Sequence, residues 1–283
     1  MKRIFQMIGL ICFIIFSFFY TDRVMTVIRE EDKIMIELKN IQSLVHVKAS
    51  NAIIVDDTII PGSNGKSVNI DKSYKNMKSK GIFEQSEIVF DKIQPDISIL
   101  QNKDKYVVLG NPKKKSVSIL FILDDDKYLG KVQSILNDRD VVSNYFVSYD
   151  YLISNTTEIK EMENCEVYSY GDDGNYTPDH LLFSNNLISR ISDHEANICM
   201  SLEKDKDILT LCNKNNLYTI IPNIIVLKNG YDIVKSSITS GSMILFYMNQ
   251  DTVRDLGVIL DYIHSKGYEF SLLSQLISED IYS

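Results

Sequence analysis

The sequence predicts an α/β fold with parallel strands, preceded by an apolar N-terminal helix and a small mixed α+β module. Three observations support this prediction. Residues 4–20 are almost uniformly apolar. Residues 117–123 (VSILFIL) form a continuous apolar run, as in a strand that is buried on both faces. From there to residue 277, β-prone and helix-prone segments alternate, which indicates parallel β/α packing in a barrel or an open sheet.

The N-terminal segment has the properties of a single membrane-spanning helix. Residues 4–20 carry no formal charge and would span about 25 Å as a helix. The run ends in aromatic residues 18–20, where a signal peptidase needs small side chains, so we favour an uncleaved anchor over a cleaved signal peptide. Lys2 and Arg3 precede the run, so the positive-inside rule predicts a cytoplasmic N-terminus. We therefore expect residues 1–22 to be a transmembrane signal-anchor that leaves the bulk of the chain outside the cell membrane.

Residues 23–110 are expected to form a juxtamembrane helix and the small α+β module. Apolar residues recur every three or four positions from 24 to 47, which indicates an amphipathic helix. A turn-rich loop follows, with Gly62, Asn64 and Gly65 as a possible ligand site because glycine lets a backbone approach a ligand closely. The more ordinary interpretation of this loop is a hairpin connection, with Asn64 and Gly65 suited to a positive φ.

Composition excludes several classes of function. The chain of 283 residues has a formal net charge of −8, which argues against a nucleic-acid binder. Its cysteines are Cys12, Cys165, Cys199 and Cys212, with no C-x-x-C pair. A metal-thiolate cluster is therefore not expected. We predict buried free thiols, with one bridge between Cys199 and Cys212 as the alternative.

Residues 111–283 are the segment in which a family resemblance is found. The end of the chain, GSMILFYMNQDTVRDLGVILDYIHSKGYEFSLLSQLI (residues 241–277), resembles the end of a polysaccharide deacetylase (NodB-homology) domain. SNYFVSYDYL resembles an upstream strand of that family, and GDDGNYTPD (residues 171–179) resembles its metal motif. The resemblance implies a distorted (β/α) barrel over residues 111–283. It also implies a groove at the carboxyl ends of the strands, where family members bind glycans and remove N- or O-acetyl groups.

The residues that the family needs for catalysis are replaced in this sequence. Family members use an Asp base, a second Asp and two His on a divalent metal, and a later His as acid, so that the metal polarises the acetyl carbonyl and activates water. The positions that match the two metal-binding His hold Asp173 and Thr177, and the late His matches Tyr247. No Arg-Pro-Pro stretch occurs around residues 198–202. The resemblance therefore implies a pseudoenzyme.

The position of the Asp pair is open. Counting from Val117 places it at residues 122–123, which hold no acid, whereas a shift of two residues places it at Asp124 and Asp125. His180 lies beside the altered metal motif and could reach a metal, but a lone His there is more often a surface or capping residue. The loop aspartates could also form an all-oxygen cation site, but turn and helix-cap roles are the more ordinary interpretation.

These observations support two functional hypotheses. The first is a membrane-anchored extracytoplasmic pseudoenzyme that needs no cofactor and binds cell-wall glycan or a protein partner. The alternative is an active metal-dependent carbohydrate deacetylase with rearranged ligands, using Asp124, Asp125 and Asp173 with a divalent metal. A third interpretation, an unrelated α/β module, requires a fold without a β/α barrel.

Overall fold

The computed structural model describes residues 2–192 and 194–281. Its helices are α1 (Lys2–Glu30), α2 (Lys33–Val45), α3 (Ile70–Lys80), α4 (Leu129–Asn137), α5 (Tyr149–Ser154), α6 (Thr156–Lys160), α7 (Pro178–Ile191), α8 (Lys206–Lys214), α9 (Gly230–Ser237), α10 (Gln250–Ser265) and α11 (Leu273–Ile277). Its strands are β1 (Ile53–Val55), β2 (Thr58–Ile60), β3 (Gly65–Val68), β4 (Phe90–Ile93), β5 (Tyr106–Val107), β6 (Ser116–Leu123), β7 (Ser143–Ser148), β8 (Cys165–Gly171), β9 (Ile198–Met200), β10 (Tyr218–Ile220), β11 (Ile224–Val226), β12 (Met243–Tyr247) and β13 (Glu269–Phe270).

The chain divides into two compact units. The smaller contains Met1–Ala49 and Gly65–Ile93, and the larger contains Ser50–Asn64 and Gln94–Ser283. This division differs from the boundary that the sequence suggested at residue 110. The reason is that the β1–β2 hairpin and β5 join the sheet that contains β9 and β10, so they belong to the larger unit.

The smaller unit begins with α1, which is one continuous helix across the apolar run and beyond it. The stretch Gly9–Glu30 is long and apolar enough to cross a membrane, with a mean hydropathy of 1.7 and no part of it buried. The amphipathic segment expected over residues 24–47 is divided in the structure, because Asp32 starts α2 by accepting the Ile34 N–H at 2.9 Å.

A small core holds the rest of this unit together. Ile34 and Leu38 of α2 pack against Val68 of β3 and Met77 of α3. Helix α3 ends at Gly81, which takes the left-handed conformation that glycine adopts without a steric penalty.

The larger unit contains two sheets and confirms the predicted α/β class. The first has the strand order β11-β12-β6-β7-β8, with β13 also paired to β6, and its described pairings are parallel. The second has the order β1-β2-β5-β10-β9, in which β1 and β2 are antiparallel and the remaining pairs are parallel.

Strand β6 lies at the centre of the first sheet and is buried at every position. Leu120 and Ile122 pack inside the barrel with residues from both sheets. Ile119 and Phe121 point the other way and pack beneath the helices. This alternation explains why the sequence reads as a continuous apolar run.

Side chains, and not a ladder, link β8 to β9 at the point where the two sheets meet. Within the described residues β8 and β9 form no ladder. The Tyr176 hydroxyl donates to the Ser169 carbonyl at 3.0 Å and accepts the Met200 N–H at 3.2 Å, so it bridges the two strands. The His194 ring lies at the same edge of β8, with Nε2 2.7 Å from the Val167 carbonyl oxygen.

The cysteines differ from the sequence prediction. Cys199 of β9 and Cys212 of α8 form a disulfide with a Cα–Cα distance of 6.4 Å. The prediction of free thiols was therefore wrong for this pair, because β9 and α8 bring the two side chains within bonding distance. Cys165 is free, and burial raises the pKa of its thiol to about 12.

Candidate functional site

The barrel mouth is the end of the larger unit at which the parallel strands β12, β6, β7 and β8 terminate. The strand register places their last residues at similar heights, because Ile122 is level with Tyr247 and Ser148 is level with Gly171. In β/α folds the carboxyl ends of parallel strands are where ligands bind. Residues that follow these strands are therefore the candidates for function.

Asp124 and Asp125 follow directly after the end of β6 at Leu123. The structure therefore places both carboxylates in the loop directly after the strand. Asp124 is exposed, and its charge acts on the phenol of Tyr170. Asp125 instead accepts the Lys127 N–H at 3.0 Å, and its charge acts on Tyr151.

The two acids therefore have different neighbours. Both are exposed in the loop after β6, and the charge of Asp124 acts on Tyr170 whereas that of Asp125 acts on Tyr151.

Tyr170 is the main residue of the mouth that sequence reasoning missed. It is only 7% exposed. Burial raises its pKa to about 12, and Tyr247, Asp173 and Asp124 raise it further in that order of effect. The phenol is therefore neutral at physiological pH. The sequence signal for Tyr170 is its position next to last in a buried strand, shortly before the acids of the following loop.

The loop after β8 carries Asp173 over this phenol. The Asp172 N–H donates to the Asn175 carbonyl at 2.7 Å, which closes a tight turn with Asp173 at φ 52° and Gly174 at φ 89°. A Cβ added at Gly174 would lie 3.0 Å from the Tyr170 hydroxyl oxygen. Glycine is therefore required both for its positive φ and for the close approach of the ring.

The metal that the fold implies does not fit these residues. Thr177 is the N-cap of α7, and its hydroxyl accepts the His180 N–H at 3.4 Å. His180 Nδ1 lies 2.9 Å from both carboxylate oxygens of Asp172, so this nitrogen is already occupied. Across residues 2–192 and 194–281, no group of three or more His, Cys, Asp or Glu side chains is placed to hold a metal ion.

His180 belongs to an aromatic cluster beside the mouth. Its ring stacks on Tyr149 with centroids 3.7 Å apart and planes within 4°. Phe183, one turn further along α7, meets Tyr149 edge-on at 5.9 Å and remains 47% exposed. The cluster gives the rim of the mouth a flat aromatic surface next to the Asp172 carboxylate.

The loop with Gly62, Asn64 and Gly65 has a structural explanation. A Cβ at Gly62 would lie 2.2 Å from the Ser50 carbonyl oxygen, and one at Gly65 would lie 2.2 Å from that of Val47. Neither Asn64 nor Gly65 has a positive φ, so that expectation was wrong. These glycines are needed because a neighbouring backbone segment packs against the loop.

Asn64 is also engaged by the protein itself. Its Nδ2 donates to Asp280 Oδ1 at 2.7 Å, and its N–H donates to the Glu279 carbonyl at 2.7 Å. The Gly62 N–H and the Ile99 N–H both donate to Glu279 Oε1 at 3.2 Å. The contacts of this loop are therefore those of a tie to the C-terminal segment and do not support its assignment as a ligand site.

Comparison with known proteins gives relatives over nearly the whole chain. No family model matches the sequence. The uncharacterized protein YlxY of Bacillus subtilis (strain 168) is 25% identical over 286 residues, which covers 90% of this chain and 86% of that protein.

Several solved structures share the fold of this chain. BA3943 of Bacillus anthracis, described as a CE4 family pseudoenzyme, has a TM-score of 0.65 and 20% identity, covering 88% of this chain and 96% of its own. A mutant of BA3943 is described as having restored enzymatic activity. The Bc1960 peptidoglycan N-acetylglucosamine deacetylase has a TM-score of 0.55 and 15% identity over 62% of this chain. The protein therefore has the fold of the CE4 carbohydrate esterases, the polysaccharide deacetylase fold that its sequence resembles.

Proposed function

We propose that this protein is a degenerate, catalytically inactive member of the polysaccharide deacetylase family that binds cell-wall glycan through the barrel mouth. The observation that carries the proposal is the replacement of the two metal-binding histidines by Asp173 and Thr177 in an otherwise complete fold. Thr177 caps α7 and Asp173 stands on an exposed turn, so neither supplies an imidazole to an ion.

The exposed residues of the mouth suit a saccharide. The Tyr149–His180 stack and Phe183 give flat aromatic faces of the kind that pack on the apolar face of a sugar ring. The neighbouring carboxylates of Asp172 and Asp173 can accept hydrogen bonds from sugar hydroxyls. Bc1960, which shares the fold, is described as acting on peptidoglycan.

We further propose that α1 anchors the protein in the cell membrane, with the N-terminus in the cytoplasm. The helix continues without a break through residues 18–20 to Glu30, which favours an anchor over a cleaved signal peptide. Lys2 and Arg3 before the apolar run favour the orientation. The Cys199–Cys212 disulfide also fits an oxidising compartment outside the cytoplasm.

The first test is metal content and acetate release with the full chain in detergent. We expect no stoichiometric Zn²⁺, Co²⁺ or Mn²⁺ and no acetate released from N-acetylglucosamine oligomers. The matched control is the double variant Asp173→His with Thr177→His, which places two imidazoles four residues apart and should gain Zn²⁺ affinity.

The outcome of this test distinguishes the two functional hypotheses. Stoichiometric metal with acetate release by the unmodified chain would establish the alternative, an active deacetylase using Asp124 and Asp173. Absence of both, together with retention of the chain on purified peptidoglycan, supports a glycan-binding pseudoenzyme. Failure to bind any glycan would leave a protein partner as the function of the mouth.

A further inference from the structure

We propose that the barrel mouth recognises the protonated amine of a de-N-acetylated amino sugar, with Asp124 and Asp173 as its charged partners and Tyr170 beneath them. This inference rests on the proposed glycan-binding function and specifies which form of the glycan is bound. It would make the protein a reader of the product of deacetylation.

The strand order brings these residues together. Tyr247 is the last residue of β12, Asp124 follows β6, and Tyr170 is next to last in β8. In the sheet β12 is adjacent to β6, and only β7 separates β6 from β8. Tyr170 packs within the inner core and Tyr247 packs against it, so both rings lie on the barrel side of the sheet. Asp173 reaches the same place from the turn after β8.

Both carboxylates lack a cationic partner. Among the described residues, neither Asp124 nor Asp173 takes part in an ion pair, although many other acids of the chain do. Lys127, the nearest base in sequence to Asp124, lies instead over the Tyr128 ring. The mouth therefore presents two negative charges that a ligand can neutralise.

Tyr170 supplies an independent indication of a ligand. Its side chain is 93% buried, being 7% exposed. Among the hydrogen bonds of the described residues none involves its hydroxyl, which lies beside Gly174 under the turn that carries Asp173. A phenol kept neutral by burial can both donate and accept a hydrogen bond. This hydroxyl is not fully buried, so a ligand in the mouth can replace water as its hydrogen-bond partner.

The donor set favours an amine over a metal ion. Ca²⁺ takes six to eight oxygen ligands and Mg²⁺ requires near-octahedral coordination, whereas the mouth offers two carboxylates and two phenols. A transition metal would need imidazole or thiolate ligands. An ammonium group has three donors and needs only acceptors around it, which the two carboxylates and a phenol oxygen provide.

The test compares two sugars that differ only in the acetyl group. Full-length protein in detergent is titrated calorimetrically, at mildly acidic pH and low salt, with the glucosamine tetramer and with the N-acetylglucosamine tetramer. Two exposed ion pairs predict about tenfold tighter binding of the amine form. Asp124→Asn and Asp173→Asn should each reduce that preference about threefold, and added salt should weaken it.

Asp125→Asn is the matched control, because it removes the same charge from the adjacent residue, which acts on Tyr151 and not on Tyr170. Tyr170→Phe should weaken binding of the glucosamine tetramer while the folded far-ultraviolet spectrum is retained. Equal affinity for the two tetramers, or a preference that Asp125→Asn lowers as much as Asp124→Asn does, would overturn the inference and leave the proposed function standing. Displacement of the amine by millimolar Ca²⁺ or Mg²⁺ would assign the mouth to a metal ion instead. Binding of neither tetramer would overturn both the inference and the proposed glycan binding.

Discussion

Replacing Tyr176 by Phe tests how the barrel is held closed between β8 and β9. The substitution keeps the ring, which packs with Leu181, Leu217 and the disulfide, and removes only the hydroxyl. That hydroxyl donates to the Ser169 carbonyl and accepts the Met200 N–H. Burial raises the pKa of Tyr176 far above its usual value, consistent with a phenol shielded from water.

The expected cost is the sum of two effects. Loss of the donated hydrogen bond removes about 1 kcal/mol, and the Met200 N–H left without a partner costs a further 1–3 kcal/mol or so. The free energy of unfolding should therefore fall by about 2–4 kcal/mol. For a unit of this size, each kcal/mol lowers the melting temperature by about 2–4 °C.

Two measurements check this estimate. Urea unfolding of the full chain in detergent gives the change in stability, and amide hydrogen exchange locates it. We expect faster exchange at Met200 and at neighbouring amides of β9. Tyr149→Phe is the control, because Tyr149 is half-buried and its hydroxyl makes no hydrogen bond in the described part of the chain. A loss below about 0.5 kcal/mol, with Met200 still protected, would refute the view that this hydroxyl replaces a ladder between β8 and β9.

Three further outcomes follow from the structure. Replacing Cys199 and Cys212 by Ser should lower the free energy of unfolding by about 3 kcal/mol for a loop closed at a separation of 13 residues, and dithiothreitol should remove a similar amount from the parent protein in urea titrations. Gly62→Ala should destabilise the larger unit by several kcal/mol, because the added Cβ would meet the Ser50 carbonyl oxygen at 2.2 Å. Gly130→Ala is the control, because Gly130 is exposed in α4 and its Cβ would have no neighbour within 4 Å. We expect this control to be neutral or stabilising by up to about 1 kcal/mol. The free energy of unfolding should also decline at alkaline pH, because the folded state raises the pKa values of Tyr170 and Cys165 to about 12. The stability that these two groups contribute is complete below their unfolded pKa values, near 10 and 9, and is lost as pH rises towards 12. A free energy of unfolding that is constant from pH 9 to 12 would contradict this.

Much of the fold could be predicted because local patterns coincide with buried elements. The apolar run of β6, the periodicity of α10 and the glycine stop after α3 each need only their own segment to be recognised. The short strands β9 and β11 were not predicted, since three residues carry little periodicity and their pairing partners are distant in sequence. The sequence does not favour the disulfide between Cys199 and Cys212, because the closeness of β9 and α8 is a property of the tertiary structure.

The candidate site was harder to predict than the fold. The alignment of the Asp pair depended on where β6 ends, and a sequence pattern does not fix an element boundary to one residue. The end at Leu123 places both carboxylates in the loop that follows. The electrostatic environment of Tyr170 includes Tyr247 and Asp124, which come from other strands, so the local pattern around Tyr170 does not reveal it.

The segment from 171 to 180 shows how this fold can be retained when Asp173 and Thr177 stand at the positions that match the metal-binding histidines. Residues of this segment make structural contacts that do not depend on a metal. Tyr176 bridges two strands, Thr177 caps α7, and Gly174 leaves room for the Tyr170 ring. Loss of the metal ligands therefore leaves the barrel closed, while the unpaired carboxylates of Asp124 and Asp173 remain at its mouth. Two carboxylates without a cationic partner are suited to pair with an ammonium group, which is why we propose that the mouth binds the deacetylated glycan.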